Sequence, residues 1–103
     1  MDYQLVFQFK DDACLDFDKM VELEDDLQQL VEPLADVDGH DMGSGEINIF
    51  ILTDDPVGTF ERAKPLLANS SLLDKVAAAY RNLRSDDFIV IWPEDARDEF
   101  VIS

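Results

Sequence analysis

The stretch from Glu46 to Thr53, Glu-Ile-Asn-Ile-Phe-Ile-Leu-Thr, leaves the chain the least freedom in its fold. Along an extended backbone Ile47, Ile49 and Ile51 point one way and Asn48, Phe50 and Leu52 the other, so both faces are largely apolar. Such a strand belongs inside a sheet. A second strand lies near the start, where Tyr3, Leu5, Phe7 and Phe9 alternate with Gln4, Gln8 and Lys10, and only Val6 blurs the polar side. Phe17, Met20, Leu23, Leu27, Leu30 and Val31 then recur at spacings of three and four, which predicts a helix with one apolar stripe. Asp16 or Asp18 caps its start and Pro33 stops it.

The rest of the chain is read against these three elements. Ala35 to Met42 forms a short strand that leads into a turn at Gly43-Ser44-Gly45, or else the whole of 35–45 is loop. Asp55 caps a helix opened by Pro56, at a position where a missing N–H costs nothing. Phe60, Ala63, Leu66 and Leu67 continue its stripe, and Pro65 kinks or ends it. Ser71 with Asp74 resembles the capping pair of a further helix, whose buried face is Leu72, Leu73, Val76, Ala77, Tyr80 and Leu83. Phe88 to Trp92 is a strand closed by Pro93, and Phe100-Val101-Ile102 adds a short edge.

The resulting order, β-α-β-β-α-β with the second helical segment broken in two, predicts one α+β domain over 1–103. Its expected architecture is the ferredoxin-like split βαβ arrangement, a mainly antiparallel sheet with helices on one face. The first strand and the Glu46–Thr53 strand are then central. A three-stranded sheet is the rival if 35–45 is loop. In the four-stranded form Val6, Phe50, Leu52 and either Ile89 and Ile91 or Phe88, Val90 and Trp92 share one side, because strand side chains alternate. If that is the helix-free side, the patch needs a cover. A homodimer through the sheet is expected, with the tail from Phe100 to Ile102 as the alternative.

Charge bounds the partners. The chain carries 24 acidic and 8 basic residues, for a net charge of −16. Residues 11–41 hold twelve acids and one base, Lys19. Direct nucleic-acid binding needs a basic surface to displace counterions, and none is apparent. Anionic membrane is disfavoured on the same ground, and no apolar run approaches the roughly 20 residues of a bilayer span. A basic protein remains the partner class that this charge would steer. Asp18, Glu22, Asp25 and Asp26 form an acidic face on the first helix, with like charges four apart that cost about 0.3 kcal/mol per pair. Acidity that serves only solubility is the plainer reading. Cys14 is the only cysteine, which excludes an internal disulfide and, with no basic-then-apolar leader at the start, predicts a reducing cytoplasm.

One segment gathers chemistry-bearing residues. Asp36 to Glu46 holds the single histidine, His40, together with Asp38, Asp41, Glu46 and three of the four glycines. It is not a calcium loop: with Asp36 at position one, position six is Asp41, and with Asp38 at position one, position twelve is Ile49. His40 with Asp38, Asp41 or Glu46 suits a divalent metal of unknown identity, or an acid/base pair in which a carboxylate orients the imidazole. A hairpin turn with solvated charges accounts for the same residues. Asp54, beside the cap Asp55, is the less explained of its pair. No phosphate loop, dinucleotide fingerprint or nucleophile elbow occurs, and no cofactor is called for.

Asp38-Gly39-His40-Asp41-Met42-Gly43-Ser44-Gly45-Glu46-Ile47-Asn48-Ile49-Phe50, followed by Thr53-Asp54-Asp55-Pro56, resembles a set of small uncharacterised bacterial proteins. That resemblance implies a bacterial cytosolic setting and nothing about a reaction. The residues themselves favour a non-enzymatic acidic binding or regulatory module that contacts a basic protein. The alternative is a small enzyme, or a ligand or metal binder, built on His40 and its neighbouring carboxylates.

Overall fold

The computed structural model describes residues 1–10, 16–43 and 45–93. The elements run β1 (Tyr3–Lys10), α1 (Phe17–Val31), β2 (Ala35–Gly43), β3 (Glu46–Thr53), α2 (Pro56–Asn69), β4 (Val76–Asn82) and β5 (Ile89–Trp92). All four strand pairings are antiparallel and give one sheet in the order β2-β3-β1-β4-β5. The described residues therefore form an α+β fold, a five-stranded antiparallel sheet with two helices. No helix among the described residues is long and apolar enough to cross a membrane.

The period-two pattern places the core. Leu5, Phe7 and Phe9 of β1 lie opposite Ile51, Ile49 and Ile47 of β3, and all six pack with Met20, Leu23, Leu27 and Val31 of α1 and with Phe60, Ala63 and Leu67 of α2. Each fully buried aliphatic of this set contributes about 2 kcal/mol from removal of apolar surface from water. Asp16 is the cap of α1, its Oδ1 accepting the Lys19 N–H at 2.9 Å. Asp55 caps α2 by accepting the Gly58 N–H at 3.0 Å. Behind it the Thr53 and Thr59 hydroxyls meet at 2.8 Å, buried, and Thr59 also donates to the Asp55 carbonyl.

Three expectations need correction. The expected helix over Leu72 to Leu83 does not form; Val76–Asn82 is strand β4, with Phe9 opposite Val76 and Tyr3 opposite Asn82. Alanine favours helix over most residues by only about 0.5 kcal/mol each. Leu5 to Phe9 of β1 is wholly buried, and without β4 one edge of it would leave buried backbone N–H and C=O groups unpaired. That larger cost decides the outcome. The four-stranded order is accordingly replaced by five strands, with β5 appended beyond β4.

Secondly, α2 runs through Pro65 to Asn69. Pro65 and Glu61, whose carbonyl loses its partner N–H, both sit on the exposed side of the helix. The helix closes two residues after Asn69 through Ser71, which takes φ +60°. Leu72 N–H donates to the Leu67 carbonyl at 2.8 Å and Ser71 N–H to that of Ala68 at 3.2 Å, a Schellman closure. Ser71 thus closes α2 and is not the cap of another helix.

On the helix-free side of the sheet the described apolar residues are shielded. Val6 and Ala79 are fully buried there, Asn48 is 1% exposed, and Phe50 and Leu52 are half-buried. One expected cover of this face is a second copy of the chain. The other expected cover, Phe100-Val101-Ile102, lies outside the described residues, as does Cys14. Thirdly, the alternation expected in β5 is broken: Ala78 faces Trp92 while Ala79 faces Val90, so Ile91 is the extra residue of a bulge. Trp92 thereby joins the helix side, its Nε1–H donating to the Leu73 carbonyl at 2.8 Å.

Candidate functional site

β2 is an edge strand, and a bulge decides what it shows to α1. Val37 pairs with Ile51 but Gly39 with Phe50, so Asp38 is the extra residue. An unbroken strand would put Val37 and His40 on opposite faces. The bulge puts them on the same one. Gly39 takes φ +155° there, a conformation in which a side chain is disfavoured. Beyond it the register brings Gly43 opposite Glu46, and Gly45 takes φ +78°.

The histidine therefore meets the helix. His40 Nδ1 lies 2.8 Å from Glu24 Oε1, with the side chains 32% and 16% exposed. The ring also packs edge-on against Phe17, centroids 6.0 Å apart. One turn further along α1, Gln28 Oε1 accepts the Val37 N–H at 2.8 Å while its Nε2 donates to Glu32 at 3.0 Å. A shallow groove of about 200 Å³ lies beside these contacts, lined by Val21, Glu24, Asp25, Gln28 and Val37.

The residues picked out along the sequence do not assemble into one site. Asp38 is exposed in the bulge, and Asp41, opposite Asn48, sits exposed on the other side of β2 from His40. Glu46 is buried at the start of β3, where Lys10 Nζ reaches its Oε2 at 3.3 Å. Asp54 is occupied locally, since its Oδ1 accepts the Asp2 N–H at 2.9 Å and ties the start of β1 to the end of β3. Among the described residues no three His, Cys, Asp or Glu side chains converge closely enough to hold a metal ion. Asp18, Glu22, Asp25 and Asp26 are all exposed on α1, and none of them forms an ion pair among the described residues.

Sequence reasoning missed Glu24, Gln28 and the role of Phe17. Phe17 and Leu30 were placed on the buried stripe, yet they are 56% and 40% exposed. The buried stripe is Met20, Leu23, Leu27 and Val31 alone. The missing signal was a second stripe at the same spacing, Phe17, Val21, Glu24 and Gln28, which lies along the border of α1 with β2. It went unread because two of its four members are polar.

No family model matches the chain, and neither the curated proteins nor the solved structures contain a significant match.

Proposed function

We propose that this chain is a non-enzymatic binding module that presents the acidic face of α1 to a basic protein partner in the cytoplasm. The observation that carries the reading is the lack of internal compensation: Asp18, Glu22, Asp25 and Asp26 are exposed and unpaired among the described residues. The like charges at 18, 22 and 26 cost the helix about 0.3 kcal/mol per pair, and a cationic partner relieves that cost on binding. Opposite potentials also steer such partners together. The strand order β2-β3-β1-β4 supports a ferredoxin-like frame extended by β5, and that frame by itself favours no activity.

The test compares the protein with an Asp18→Asn, Glu22→Gln, Asp25→Asn, Asp26→Asn variant, each immobilised and exposed to bacterial lysate. Screening at roughly 0.5 M salt shortens the reach of surface charge to about half its value at 0.1 M. The expected result is capture of a basic protein at low salt, release at high salt, and no capture by the neutralised variant. Capture indifferent to both changes, or none at all, overturns the proposal.

A second reading rests on one observation, the carboxylate-held imidazole of His40 beside the groove. Such a pair suits acid/base chemistry or ligand binding. Thermal melting with zinc, manganese or calcium checks it: a stabilisation specific to one ion and lost in His40→Ala supports this reading. Equal melting curves with and without each ion count against a metal role.

A further inference from the structure

Within the α1 reading, the border between α1 and β2 has features that a merely solvated acidic helix lacks. Phe17 and Val21 are exposed, although four other positions already supply the helix with a complete buried stripe. They stand beside Val37 and the His40 ring, and the groove between helix and strand opens next to them. Its volume of about 200 Å³ falls below the roughly 300–1,000 Å³ of sites that enclose a small molecule. It suits one aliphatic side chain.

Position around the helix separates the acids. At 100° per residue, Asp18 and Asp25 follow directly after the Phe17-Val21-Glu24-Gln28 stripe, whereas Asp26 lies on the far flank. The groove thus has two apolar lining residues, Val21 and Val37, set among Glu24, Gln28 and the carboxylate of Asp25, with Asp18 beyond its edge. The backbone of β2 is not the receptor at this point, because Gln28 already satisfies the Val37 N–H. Strand addition would have to displace that bond.

We infer that the α1–β2 groove docks a basic segment of a partner protein through its side chains, an aliphatic residue seated over Val21 and Val37 and flanking Lys or Arg residues on Asp18 and Asp25. The inference rests on the proposed function and names the site and the partner chemistry for it. A cation on the rim meets carboxylates that are unpaired among the described residues, and the apolar anchor removes Val21 and Phe17 from water.

The probes are three labelled twelve-residue peptides, (Lys-Lys-Leu)4, (Lys-Lys-Ser)4 and (Glu-Glu-Leu)4, titrated against the full chain by fluorescence anisotropy. The first binds, the second binds more weakly by about fivefold or more for the lost apolar contact, and the third does not bind. Val21→Ser weakens the first peptide by a similar factor and leaves the second unchanged. Asp18→Asn with Asp25→Asn weakens both lysine peptides about tenfold at low salt and little at high salt, while Asp26→Asn has a smaller effect. Amide shift changes on binding the first peptide centre on Val21, Gln28 and Val37.

If the first peptide binds but Val21→Ser is silent and the shifts lie elsewhere on α1, the groove assignment is overturned and the acidic-module reading survives. If neither lysine peptide binds, both fall. Light scattering on the free chain provides a further check. A dimer that Phe17→Ser converts to monomer overturns the partner assignment in favour of a second copy of the chain.

Discussion

Removing the contact between His40 and Glu24 tests whether the helix holds the histidine or merely lies near it. The 2.8 Å separation is that of a good hydrogen bond, with side chains 32% and 16% exposed. A hydrogen bond to a charged group contributes about 1.5–3 kcal/mol when well shielded, and pairs in full solvent about 0.2–1 kcal/mol. Partial exposure places this pair near about 1 kcal/mol. His40→Ala also removes the edge-on contact with Phe17, which adds about 0.5–1 kcal/mol. Expected losses are therefore about 2 kcal/mol for His40→Ala and about 1 kcal/mol for Glu24→Ala, with a double variant that loses about 1 kcal/mol less than their sum. Urea unfolding followed by the fluorescence of Trp92, the only tryptophan, measures all four corners of the cycle. Effects that add to within about 0.3 kcal/mol would show that Glu24 does not hold His40. The carboxylate-oriented imidazole, and the second functional reading with it, would then be refuted.

Three substitutions probe the frame around the site, each by the same urea assay. Ser71→Gly relieves the left-handed φ at the end of α2 and is expected to stabilise by about 0.5 kcal/mol, after the greater freedom of glycine in the unfolded chain is subtracted. A loss of stability would show that the serine side chain contributes to the closure. Gly39→Ala meets no steric obstacle from its new Cβ but must adopt φ +155°, so it is expected to cost about 1–2 kcal/mol through backbone strain alone. Unchanged stability would mean that the bulge relaxes freely. Asp55→Ala deprives the Gly58 N–H of its acceptor and is expected to cost about 1 kcal/mol, whereas Asp54→Ala, on an exposed contact to the Asp2 N–H, is expected to cost less than half of that.

Local pattern was enough wherever one period dominated a segment and its neighbours only had to accept it. The alternations of β1 and β3 and the 20-23-27-31 spacing in α1 survive folding because each buries one continuous apolar face. The caps Asp16 and Asp55 were legible for the same kind of reason, since the groups they satisfy lie within three residues. What remained hidden depended on groups distant in the chain. Val76–Asn82 has the spacing and alanines of a helix, and only the open, buried edge of β1 makes it a strand. His40 looked like a residue among loop carboxylates. The one-residue bulge at Asp38 turns it towards α1, where its partner is Glu24, sixteen positions away and indistinguishable in sequence from the other acids of that helix. Composition set how acidic the chain is, but only packing against β2 determined which acids border the groove with Val21 and Val37 and which face water alone. Periodicity records which face of an element is buried. The neighbour it is buried against is settled when backbone hydrogen bonds and apolar surface are satisfied across the whole sheet at once.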